Sequence, residues 1–249
     1  MSMTGQPGAG VVDMNMSADL ATAALDLARR FRHGATLWVL APQWEPHAHH
    51  VAVEFVHPVV VGKRALPAVA LVGPDLVAQA RLACRRGDVL MAVAAADESA
   101  VVDTMRRAPA WGALTLWVGT GPRPVPGAAN HVLWIDSLDP MVPANGSFML
   151  LYHLLWELTQ VCFEHPGLLT DRGDDGAGAS CVTCGDEGRL AEIVLVPDGP
   201  MGLALIRSAD GEEWVDVSML DQVAVNDLIL VHAGAAIASL DAIAVEADR

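Results

Sequence analysis

Short apolar runs alternate with segments of helical periodicity from residue 15 to residue 166, and this alternation constrains the fold more than any other feature of the chain. Leu20, Ala24, Leu27, Ala28 and Phe31 share one face of a predicted helix over Asn15–His33, with Ser17 placed to cap its start and Gly34 to end it. Thr36–Leu40 reads as a buried strand, His47 to about His57 as a helix, and Pro67–Val72 as a strand. Pro74–Arg86 reads as a helix with proline in its first turn and Gly87 past its end. Asp88–Ala94, Ala113–Val118 and His131–Ile135 read as strands, and Glu98–Arg107 and Ser147–Glu164 as helices. Strands that are apolar throughout must be covered on both faces, so the expected class is α/β with a doubly wound parallel sheet.

The rhythm then changes. Residues 167–180 (GLLTDRGDDGAGAS) offer nothing that could build a core and read as a linker. Leu190–Val196, Gly202–Ser208, Glu213–Val217 and Asp227–Ala233 read as strands, Asp210-Gly211 as a hairpin turn, and Ala235–Ala247 as a short helix. Several short strands in so few residues fit a small OB-like β-barrel. The expected organisation is a flexible lead over 1–14, an α/β domain over 15–166, a linker over 167–180 and a β-barrel domain over 181–249.

Charge narrows the function. Fifteen basic residues stand against 30 acidic ones, a net charge of −15, and Lys63 is the only lysine. Nucleic-acid backbones and anionic membrane surfaces both require cations, so neither partner is expected. The imbalance is uneven: residues 1–170 hold 14 acids and 11 bases, whereas residues 171–249 hold 16 acids and 4 bases. With 53% hydrophobic residues the chain is no acidic disordered protein. Four cysteines do not make a disulfide framework, and the start has neither a basic segment nor an apolar run, so a cytoplasmic location is expected.

Three groups of residues could carry chemistry. Cys181-Val182-Thr183-Cys184 could bind a soft metal, act as a redox pair, or be two ordinary thiols. His232 lies in an apolar strand, where a satisfied core histidine is the commoner case. His47, His49, His50 and Glu54 follow the first strand, and the four-residue spacing puts His50 and Glu54 on one helix face, as in a metal-ligand pair. His47 and His49 read as a polar helix start. Cys84 and Cys162 read as buried small hydrophobes, and Trp38, Trp117, Trp134 and Trp156 as core.

Two resemblances follow. Gly188–Ile193 (GRLAEI), Val215-Asp216-Val217 and Val225–Ile237 (VNDLILVHAGAAI) resemble, in that order, the HypC/HupF hydrogenase-assembly chaperones over roughly residues 181–245. That resemblance implies a [NiFe]-hydrogenase maturation chaperone that binds iron as a transient Fe(CN)2CO fragment. Cys184 and His232 would be its ligands and Cys181 a co-ligand. The partners would be the hydrogenase large subunit precursor and a HypD-type scaffold protein. The chain departs from that pattern in placing the cysteines after 180 residues and Glu187 where the family has proline.

His50–Phe55 (HVAVEF), Leu66–Leu71 (LPAVAL), Gly87–Leu90 (GDVL) and His153–Leu158 (HLLWEL) resemble the SIS (sugar isomerase) domain, in particular sedoheptulose-7-phosphate isomerases. That implies a site from His50, Glu54 and His153, with Asn145 as a further amide ligand and zinc, iron or nickel as the metal. In those isomerases the glutamate and histidine are base and acid. SIS domains also self-associate, so a homo-oligomer is implied. The phosphate-cradling loops are replaced by Ala41–Pro46 and by Ala94–Ser99, whose Asp97 and Glu98 would repel a phosphate. The resulting expectation is a non-enzymatic chaperone whose SIS-like domain is a dimerisation or metal-binding scaffold. The alternative is a metal-dependent phosphosugar isomerase with a regulatory barrel.

Overall fold

A computed structural model of the chain describes residues 14–170, 188–197 and 202–241. The expected alternation forms a five-stranded sheet from β1 (Leu37–Leu40), β2 (Ala68–Leu71), β3 (Val89–Val93), β4 (Leu114–Thr120) and β5 (His131–Ile135). All its pairings are parallel and the strand order is β2-β1-β3-β4-β5. The five helices are α1 (Met14–Arg32), α2 (Glu45–Val56), α3 (Leu76–Ala83), α4 (Ser99–Arg107) and α5 (Ser147–Glu164).

Period-two alternation divides the strands between two cores. Leu37, Val39, Val89, Met91, Val93, Leu116 and Val118 face α1, α2 and α5. Leu40, Leu90, Ala92, Ala94, Trp117 and Trp134 face α3, α4 and the single turn Ala108–Trp111. A Cβ on Gly119 would collide with the Trp134 ring and the Ala94 carbonyl, so the missing side chain is what admits that ring. Helix α3 begins two residues later than the Pro74 start expected: Asp75, at φ 55°, accepts a hydrogen bond from Ala78 N and caps Leu76 onward. Ser17 lies inside α1, which begins at Met14.

Lys63, in the connection between α2 and β2, is held against α5. Its Nζ lies 3.0 Å from Glu157 Oε1, 2.8 Å from Glu164 Oε1 and 6.0 Å from the Trp156 ring centroid. Its side chain is 11% exposed.

The second unit is a β domain of β6 (Arg189–Leu195), β7 (Leu203–Ser208), β8 (Gly211–Asp216), β9 (Leu228–His232) and β10 (Ala235–Ser239). The strands pair in the cyclic order β10-β8-β7-β6-β9, with β9 pairing back onto β10. The helix expected from Ala235 is instead strand β10. Ala233 (φ 48°) and Gly234 (φ 80°) turn the chain back so that Ala235 faces His232, and strand pairing overrides the helical preference of alanine.

The two units share a buried junction. Leu228 joins the core under α3 and α4, with Leu190 and Leu240 packed beside it. Glu192 of β6, 2% exposed, accepts from Arg81 Nε and Nη2 at 2.8–2.9 Å, from Arg107 Nη1 at 3.2 Å and from Trp111 Nε1 at 2.9 Å. Asp241 pairs with Arg106 at 2.5 Å and with Arg107 at 3.0 Å. Arg207 of β7 donates to the carbonyls of Arg81 and Cys84 at the end of α3. The β domain therefore sits on the face of α3 and α4. Among the described residues, no helix is long and apolar enough to cross a membrane.

Candidate metal centre

Helices α2 and α5 lie side by side on the face away from the β domain, and their facing residues form the site. Val51 and Phe55 anchor α2 in the core while Phe148, Leu151 and Leu155 anchor α5. That fixes His50 and Glu54, one turn apart on α2, opposite His153 on α5. His50 Nε2 lies 3.1 Å from His153 Nε2, and Glu54 Oε2 lies 3.7 Å from the same nitrogen. One donor atom from each residue falls within 4.8 Å of the others. All three side chains are half-buried, so solvent and a small molecule can reach them.

The donor set fits a divalent ion. A tetrahedral zinc, with bonds to nitrogen of about 2.0–2.1 Å, sets its ligand atoms about 3.3 Å apart. The distances of 3.1 and 3.7 Å bracket that value. Two imidazoles, with the Glu54 carboxylate beside them, would leave coordination positions open for a substrate oxygen.

Two neighbours were not anticipated from sequence. Tyr152, the only tyrosine of the chain, is fully buried beside the trio, its ring 5.3 Å from that of His50. Burial, reinforced by the Glu54 carboxylate, pushes its hydroxyl pKa up, so it remains protonated. His47 lies 2.8 Å through Nε2 from the Pro143 carbonyl and 3.3 Å through Nδ1 from the Tyr152 hydroxyl. With Nε2 donating to the carbonyl, Nδ1 accepts from the tyrosine. Burial lowers the His47 pKa and keeps the ring neutral, which that arrangement needs. His47 thus ties α2 to the turn before α5 rather than being an incidental polar residue. A lone tyrosine next to His153 was the available signal.

Asn145 stands apart from these partners. Its Oδ1 accepts from Ser147 N at 3.1 Å and Ser147 Oγ at 2.6 Å at the start of α5, and it lines a separate polar cavity. His49 is exposed and lies 3.5 Å from Glu45. His232 is half-buried in β9, while Cys181 and Cys184 lie outside the described residues. Cys84 and Cys162 are buried free thiols, and burial pushes the Cys84 pKa up to about 12, so both behave as core residues.

No protein-family model matches the chain, and no curated protein matches it. Solved structures do. A phosphoheptose isomerase from Neisseria gonorrhoeae matches with a TM-score of 0.50 at 15% identity, over 59% of this chain and 87% of that one. A phosphoheptose isomerase from Francisella tularensis matches with a TM-score of 0.48 at 14% identity, over 59% of this chain and 92% of that one. The α/β portion therefore has the SIS-like fold, and the five strands beyond it form a second β domain.

This corrects the functional expectation. The Neisseria gonorrhoeae neighbour is a phosphoheptose isomerase, an enzyme, and not a hydrogenase-maturation chaperone. The chaperone reading, its HypC/HupF assignment and the expectation of a non-enzymatic carrier are overturned, while Cys181 and Cys184 of the expected iron-ligand set lie outside the described residues.

Proposed function

We propose that the chain is a metal-dependent sugar isomerase, of the phosphosugar isomerase kind in fold and chemistry, with the β domain as a non-catalytic appendage. The convergence of His50, Glu54 and His153 is the observation that carries this reading. Glu54 acts as the base, taking the proton from the carbon beside the substrate carbonyl and returning it to the former carbonyl carbon. The oxygen-bound proton passes from the hydroxyl to the former carbonyl oxygen through solvent, which reaches the half-buried site, so that carbonyl and hydroxyl exchange places. His50 and His153 hold a divalent ion, zinc, iron or nickel, which when bound polarises the carbonyl. Tyr152 and His47 hold the two helices at the working separation.

Asp97 and Glu98 occupy the turn before α4, so a substrate phosphate gains nothing from that loop. Sugars with and without phosphate are therefore both to be tested. The test is aldose–ketose interconversion by the full chain, metal-loaded and after chelation. Turnover should vanish on chelation, return with a divalent ion, and fall about a hundredfold or more in Glu54→Gln. Failure of every sugar with the metal bound overturns the reading.

Further features extend it. The cyclic β domain is read as the OB type and spans 181–249; the lead over 1–14 and the linker over 167–180 lie outside the described residues except for Met14, which begins α1, and 167–170, where Leu169 packs against Ala28 and Cys162. The chain acts in the cytoplasm and self-associates. Val53, Val59 and Val61, exposed around α2, and Met149 and Leu150 of α5 supply an apolar face for a second copy.

A further inference from the structure

A cavity of about 660 Å³ opens on the opposite side of the sheet from the trio, between α4, the loop after β4 and Leu190 of the β domain. Its size is that of pockets that enclose small organic ligands. Trp117 and Met105 belong to the core cluster beneath it, and Val102, which also lines it, is 42% exposed. The loop after β4 (Pro122-Arg123-Pro124-Val125-Pro126) contributes a wall in which every second residue is proline. Prolines have no amide hydrogen and a fixed φ, so this wall is stiff and poor in donors. The Trp117 Nε1 hydrogen is already committed to the Ala94 carbonyl at 3.1 Å. A polyol placed here would leave hydroxyls unpaired, so the cavity is no second sugar site.

Charge sits at its edge. Arg106 is engaged by Asp103, Asp241 and the Leu240 carbonyl. Arg123 is not: Asp136 lies 3.8 Å away, and both side chains are largely exposed. Arg123 also lines the polar cavity that holds Asn145, so it stands where an apolar space meets a polar one. Asp97 is the remaining charge on the lining.

We propose that this cavity binds a small apolar carboxylate, its hydrocarbon or aromatic body against Trp117, Val102 and the proline wall and its carboxylate on Arg123. The site shares no residue with the trio and lies behind the other face of the sheet, while Asp97 of its lining belongs to the loop that stands in place of a phosphate cradle.

The test uses the full chain and two fluorescent dyes, the anionic anilinonaphthalenesulfonate and the uncharged phenylnaphthylamine, with decanoate as competitor. Both dyes should bind and decanoate should displace them. Arg123→Glu should weaken the anionic dye and decanoate about tenfold and leave the uncharged dye unchanged. Asp97→Asn should move the anionic dye the other way. Val102→Trp, at an exposed position that does not threaten folding, should abolish both, with circular dichroism and melting temperature as fold controls. Absence of dye binding, dye affinity untouched by Val102→Trp, failure of decanoate to compete, or equal loss of both dyes in Arg123→Glu each overturns the proposal.

Discussion

Two residues show how much rests on a single side chain, or on its absence. At Gly119 the backbone approaches so closely that the Trp134 ring occupies the space of a Cβ. Gly119→Ala should cost about 1–3 kcal/mol, the usual penalty of overpacking, read from urea unfolding. His47 acts differently, because it touches no donor of the trio yet bridges α2 to the turn before α5. His47→Phe would preserve the ring packing against Phe148 and remove both polar contacts. We expect it to weaken zinc retention by freeing α2 from the turn before α5, with little change in the far-ultraviolet spectrum. Unchanged zinc affinity would confine His47 to packing.

At the scale of elements, one buried carboxylate sits at the centre of the junction between the α/β and β units. Glu192 is buried against Arg81, Arg107 and Trp111, and removing it leaves two guanidinium groups without their shared partner. Glu192→Ala should destabilise by about 3–5 kcal/mol. Trp111 fluorescence should change with it, since the indole loses its acceptor. The elements themselves were largely legible in the sequence. Strands such as Val89–Val93 are apolar throughout and flanked by helix starts and glycines, and buried parallel strands leave that pattern. Asn15–His33 announced α1 through its apolar stripe. The junction was not legible, because Glu192 lies 85 residues from Arg107 and 111 from Arg81, and charged residues in isolation read as surface. Ala235–Ser239 misled for a related reason: its composition is helical and its strand pairing is tertiary. Of the candidate site, His50 and Glu54 were legible from helical spacing. His153 came only from the resemblance, since contacts between helices leave no local periodicity. Tyr152 and His47 went unrecognised because their roles depend on what faces them.

For the whole molecule, acid is the revealing condition. Burial would raise the pKa of Asp241, but the Leu228 amide, Arg106 and Arg107 together outweigh it and hold the carboxyl below its usual value. The hydrogen bond to His131 does the same for Asp26 against burial, tying α1 to β5. A carboxylate whose folded pKa lies below its unfolded value of about 3.9 stabilises the fold above that pH. That stabilisation disappears as pH falls through the folded value. The melting temperature should therefore drop between roughly pH 5 and pH 2, and Asp241→Asn should flatten part of the drop. A variant that keeps the parent's full slope would remove Asp241 from the account.

The clasp around Lys63 reaches into bench chemistry. With one lysine in 249 residues, and that one between two glutamates over a tryptophan, the chain offers amine-directed reagents almost no handle on its surface. Acylating labels and lysine cross-linkers should tag this protein sparsely in its native state. Uptake at Lys63 would become a site-specific report that the connection between α2 and β2 has come away from α5.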